Sequence, residues 1–270
     1  MAKTTTYAQF VAFGTDLVGL ERLLRLFQAA CSVLISYPLL LAALVPKPTS
    51  EAQLAVKAVG LGALRGQLNV SRRFIRLFRF MDTLNAGFDA YVAPEKNLEV
   101  WLDVVSKTCL GMFGMIETLT LVDLIGIPGL EVFGPARSSE IDAQSQYFWF
   151  FGLATSVTIS LIKLSKVNVP PIAEKEQEKP TKTVSEKADE KEDTKEKAAK
   201  DAEEKKRLKE VAAKKKVLLR SIVSDVVDML LPGSAIGFVK ISGASVSSAM
   251  FFTTLTTGWA AWDRIGARLQ

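Results

Sequence analysis

Apolar positions recur at helical spacing along most of the chain. Across residues 14–45, Leu20, Leu23, Leu24, Phe27, Ala30, Cys31 and Leu34 follow that period, with Glu21, Arg22 and Arg25 on the other side, which predicts a helix or a helix pair. Pro38 bends or breaks this element, and residues 45–50 (VPKPTS) end it. A second helix is predicted from Glu51, with Thr49 or Ser50 as its cap, running toward Ala90 until Pro94 closes it. Gly60, Gly62 and Gly66 weaken its middle and predict a kink there.

The second helix carries the most informative pattern in the chain, residues 64–84 (LRGQLNVSRRFIRLFRFMDTL). At about 100° per residue, Arg65, Arg72, Arg76 and Arg79 fall within roughly 60° of one another, with Arg73 beside them. Val70, Phe74, Leu77, Phe78, Met81 and Leu84 gather on the opposite side. Such a stripe suits either a surface helix of a soluble bundle or a helix lying in a membrane interface. In the second case the apolar side sinks into the acyl boundary and the guanidinium groups meet phosphates of anionic lipids. The stripe also predicts a closed form in which it packs on Leu23, Phe27 and Leu34.

Four apolar segments follow and favour the membrane. Residues 108–130 are long enough to span a bilayer but contain Glu117 and Asp123. Residues 147–164 have an aromatic start and a lysine near the exit. Residues 218–239 are interrupted by Arg220, Asp225, Asp228 and Pro232. Residues 241–262 carry no charge and place Trp259 and Trp262 at interface depth, which makes them the clearest predicted span. Gly243 with Ser247, and Ala244 with Ser248, are small-residue pairs that suit helix self-association there.

Residues 165–217 are a different material. They open with Pro170, Pro171 and Pro180 and continue in Lys, Glu and Ala with few aromatics, which predicts a solvated helix or a linker. Their late basic cluster, Lys205, Lys206, Arg207, Lys209 and Lys214–Lys216, suits a solubilising role or contact with anionic lipid. The expected fold is therefore all-α and membrane-embedded, with amphipathic helices at residues 1–106, apolar helices at 107–164, the charged linker at 165–217 and a C-terminal helical hairpin at 218–270. Net charge is +5 and is concentrated in the N-terminal part and the linker. With four crossings both regions and both termini face the cytosol, in keeping with the positive-inside tendency; with two, the linker lies on the far side.

The chain has no histidine, which removes histidine-based acid–base catalysis, Ser-His or Cys-His nucleophiles and His-ligated metals. No catalytic residue, metal or cofactor is expected. Cys31 and Cys109 lie in apolar surroundings without CxxC spacing and read as small buried hydrophobes of a reducing compartment. The arginine stretch lacks phosphate-loop chemistry, so nucleic acid is not an expected partner. A rival function is a channel or carrier for small solutes, in which Glu117, Asp123, Asp225 and Asp228 are the ionisable groups at membrane depth.

Residues 19–28 (GLERLLRLFQ) resemble the N-terminal motif of the peroxin-eleven family, with Gly19, Glu21, Arg22, Leu23, Leu24, Arg25 and Gln28 at the matching positions. The arginine stretch is similar to that family's signature through Leu68, Arg72, Arg73, Leu77, Phe78, Arg79, Phe80 and Asp82. Leu20 and Ala29 depart from the pattern, and the charged linker is unusually long. The resemblance implies an integral protein of the peroxisomal membrane, both termini cytosolic, that elongates and tubulates the membrane before fission. It further implies a homo-oligomer that engages fission machinery including a dynamin-like GTPase.

Overall fold

The computed structural model describes residues 5–44, 50–167 and 190–269, with side chains described from residue 206 in the last stretch. Pro170, Pro171 and Pro180, most of the 45–50 break and the Lys205 side chain lie outside the described residues.

Asp16 caps the first long helix: its Oδ1 accepts from the Val18 and Gly19 amides at 2.9 and 3.1 Å. It separates α1 (Thr6–Thr15) from α2 (Leu17–Ser36). The break predicted at Pro38 occurs at Tyr37, beyond which α3 (Pro38–Leu44) leaves at 107°. A proline cannot donate to the preceding turn and pushes the residue before it out of the helical region, so α2 stops there.

Ser50 caps α4 (Glu51–Ile75), which runs unbroken through Gly60, Gly62 and Gly66. The interruption comes ten residues later, at Arg76–Phe78, and α5 (Arg79–Val92) follows. Two contacts hold that turn open: Thr118 Oγ1 donates to the Leu77 carbonyl at 2.7 Å, and Arg76 reaches Glu117 at 2.8 Å. The expected single amphipathic helix is therefore two helices, and one helical wheel does not describe both.

Asn97 caps α6 (Leu98–Leu119), and α7 (Leu121–Ile125) ends at Gly126, whose positive φ of 70° suits a residue without a Cβ. Helix α8 (Pro135–Val167) starts with proline at its first position, where no amide hydrogen is needed. The charged stretch is helical from residue 190 onward in α9 (Glu190–Asp228). Pro232 cannot donate to the Asp228 carbonyl, and the helix breaks at Met229 before α10 (Leu230–Ala235). Ser242 caps α11 (Gly243–Arg268).

The described residues form an all-α fold. Helix α6 packs on α5 and α8, and α2 packs on α4 and α11, so contacts join the N-terminal, apolar and C-terminal regions drawn from the sequence. At the α1–α2–α11 junction, Phe13, Ala261 and Ile265 form a small core, with the Phe13 and Trp262 rings 5.5 Å apart.

The helices match the four apolar segments only in part. Among the described residues, only α8 is by itself long and apolar enough to cross a bilayer, and α2 with α3 qualifies only across the 107° bend. Residues 108–130 are divided at Thr120, and residues 218–239 at Met229. Helix α11 falls short on hydropathy, diluted by serines and threonines. In α8 only 22% of the apolar stretch is buried, whereas the core helix of a soluble protein is mostly covered.

Candidate functional site, a buried arginine cluster

Helix α2 presents Glu21, Arg25 and Gln28 at i, i+4 and i+7 on one face. That face meets α4, which supplies Arg72 and Arg73, and the turn after it, which supplies Arg76. Arg72 donates to Glu21 Oε1 through Nη2 at 2.7 Å and Nε at 3.0 Å, while its Nη1 donates to the Gln28 side-chain oxygen. Glu21 and Arg72 are 2% and 5% exposed, so this pair is inside the protein. Burial pushes the Arg72 guanidinium down to about 10, against the opposing pull of Glu21.

Two more pairs flank it. Arg25 Nη2 donates to Asp228 Oδ1 at 2.6 Å, and Thr253 donates to the same oxygen at 2.7 Å, tying α2 to α9 and α11. Arg73 donates to Asp142 of α8 at 2.9 Å, and its Nε lies 3.6 Å from Glu117 of α6, the carboxylate that Arg76 also reaches. Buried pairs of this kind need good geometry to offset desolvation, and two N–H groups of Arg72 converging on one Glu21 oxygen contribute to it.

The cluster lines a cavity of about 440 Å³. Arg22 and Arg79 complete its cationic lining, with Phe80, Phe113 and Trp149 on another wall. The last two rings stack at 5.2 Å.

The residues expected to bind lipid are thus divided by the fold. Arg72 and Arg73 are buried and committed to carboxylates, Arg76 is largely covered, and Arg65 and Arg79 are exposed. This corrects the reading of all five as one lipid-facing stripe. On the apolar side Phe74, Phe78 and Met81 are exposed, whereas Val70, Leu77 and Leu84 are half-buried. Leu84 seats in a notch at Gly111, where a Cβ would come within 2.5 Å of it.

The predicted closed form, with this stripe on α2, is not the contact observed. Phe27 and Phe74 are both exposed, and the α2–α4 seam includes the Glu21, Gln28 and Arg72 side chains. The candidates for self-association are also partly used within the chain. Ser247 bonds Ser36 at 3.0 Å and Ser248 bonds Tyr37 at 3.1 Å, Ala244 is half-buried, and Gly243 is exposed. Cys31 is buried, Cys109 half-buried, and both are free.

The acids singled out for a channel have other partners. Asp123 Oδ1 accepts from the amides of Val132, Phe133 and Gly134 at 2.8–3.1 Å and so closes the loop before α8. Glu117 and Asp228 are ion-paired, and Asp225 accepts from Ser156 at 2.8 Å.

Sequence reasoning missed the carboxylate partners. The signal was present, because arginines and acids embedded in apolar segments require one another.

A family model, Peroxisomal biogenesis factor 11 (PEX11), matches residues 7–262, nearly the whole chain. The chain belongs to that family. No curated protein and no solved structure matches it significantly. PEX11 proteins are membrane-associated peroxisome biogenesis factors with a general role in peroxisomal membrane proliferation and fission, and they are not a known enzyme family. The two stretches that carry the family resemblance, residues 19–28 and 68–82, are the ones joined through Glu21, Gln28 and Arg72.

Proposed function

We propose that this PEX11 protein elongates the peroxisomal membrane by pressing the outward apolar side of α5 and the preceding turn into the cytosolic leaflet. The observation that carries this reading is the exposure of Phe78, Met81, Phe88 and Val92 along one side, with Phe74 just before them. An unpartnered apolar stripe of this size is a signature of a protein or membrane contact. The opposite side of α5, through Phe80, Leu84 and Gly87, is seated on α6, so the stripe is held on a folded support. Side chains inserted at headgroup depth enlarge one leaflet only and favour curvature. At about 25 cal/mol per Å² of apolar area, several half-inserted Phe, Met and Val side chains give several kcal/mol of affinity. Arg65, exposed on α4, adds attraction to anionic lipid of about 1 kcal/mol.

In this proposal α8 crosses the bilayer. Placing both termini in the cytosol rests on the charge distribution and the family resemblance, and it calls for an even number of crossings. Self-association and engagement of fission machinery, including a dynamin-like GTPase, rest on the family resemblance. The expected result with reconstituted full-length protein is tubulation of anionic liposomes, abolished in Phe78→Asp and Phe88→Asp while melting temperature is kept. Tubulation by both variants at the wild-type level overturns the reading.

A further inference from the structure

The charge around the central cavity does not balance. Its lining contains six arginines, Arg22, Arg25, Arg72, Arg73, Arg76 and Arg79, against the carboxylates of Glu21, Glu117 and Asp228. Adding Asp142, which holds Arg73 from beside the cavity, still leaves positive charge in excess. The surplus is visible atom by atom. The buried Nε groups of Arg25, Arg73 and Arg76 have no hydrogen-bond acceptor, against one cavity carboxylate oxygen, Glu21 Oε2, without a donor. Arg22 touches only Glu21, at 3.5 Å, and among the described residues Arg79 makes no ion pair. Buried donors without acceptors are costly, and a cluster of them around one space is a site missing an anion.

We propose that this cavity binds a phosphate ester, with the phosphate held by Arg22, Arg76 and Arg79 and its organic part against the aromatic wall. Guanidinium groups match phosphate oxygens bidentately, and a doubly charged monoester offsets the excess that a single carboxylate leaves. The space is larger than inorganic phosphate requires, since about 300–1,000 Å³ is usual for an organic ligand. Phe80, Leu110, Phe113, Trp149, Leu231 and Met250 supply an apolar side beside the arginines, which suits an amphiphilic ester. Arg79 is exposed and Arg72 buried, so the cavity runs from an open mouth to a closed floor. The same chemistry is offered by an anionic lipid headgroup entering from the membrane and by a water-soluble phosphorylated metabolite. This site is separate from the α5 stripe, and its occupancy does not depend on whether the stripe deforms membranes.

The test uses the full chain in a neutral detergent, titrated calorimetrically with dihexanoyl phosphatidic acid, a sugar phosphate and inorganic phosphate. Dihexanoyl phosphatidylcholine is the zwitterionic control. The expected result is saturable binding of a phosphate monoester, absent with the control. Arg79→Gln and Arg22→Gln each weaken it about tenfold or more, the usual loss of a charged hydrogen bond. Arg79→Gln breaks no ion pair among the described residues and Arg22→Gln only the 3.5 Å contact with Glu21, and melting temperature reports that both variants fold. Arg268→Gln, exposed at the end of α11, leaves binding unchanged. Tight binding of phosphatidic acid alone identifies the lipid source, and equal or tighter binding of the sugar phosphate identifies the soluble one. No saturable binding, or equal weakening by Arg268→Gln, overturns the proposal.

Discussion

The α2–α4 seam and the seams of α6 with α5 and α8 hold helices together by opposite means. Between α2 and α4 the buried Glu21–Arg72 pair, helped by Gln28, fixes the register by charge and direction. Around α6 the fit is a matter of volume. Gly111 receives Leu84, Gly114 lies against Phe80, and Gly152 of α8 receives Leu110. There Ser106 adds a polar contact, donating to the Gly152 carbonyl at 2.9 Å. A charged seam tolerates neighbouring space, and here it borders a cavity. A notched apolar seam draws its attraction from close contact, and Phe80, Leu110 and Gly114 of that seam reach the same cavity. The lesson is that the cavity lies where an electrostatic seam meets an apolar one.

Substitutions at the two seams should separate these modes. Glu21→Gln strands the buried Arg72 guanidinium and is expected to cost about 3–5 kcal/mol, read by denaturant unfolding of the solubilised protein. A double variant, Glu21→Met with Arg72→Met, should keep much of that stability, since two apolar groups replace the pair at little net cost. A loss in the double variant as great as in the single one would mean that the seam is held by packing after all. Gly111→Ala sets a methyl group against Leu84 and is expected to cost about 1–3 kcal/mol, toward the lower end because a leucine tip yields. The smallest effect is expected at the edge of the α2–α11 contact. Ser36→Ala removes one partly exposed bond to Ser247 and should cost about 0.5–1 kcal/mol.

Much of the framework was legible beforehand. Pro38 and Ser50 mark breaks and caps because their effects are local: a missing amide donor, a fixed φ, a hydroxyl one turn from a free amide. The motif at residues 19–28 and the arginine stretch were also recognisable as sites of consequence. What they touch was not. A helical wheel sorts residues by direction around one axis, and Arg72 pointing at a lipid phosphate looks the same as Arg72 pointing at Glu21. The wheel also assumed one continuous helix, whereas the turn at Arg76–Phe78 is held by Thr118 and Glu117, about forty residues away.

The sequence by itself determined the helical class, the family, most of the helix ends and the charged tract, since each rests on periodicity, composition or an ordered motif. Only the tertiary structure decided which arginines are free. That choice depends on carboxylates brought in from α6, α8 and α9, and a buried charge takes the partner nearest in space, whatever the distance along the chain.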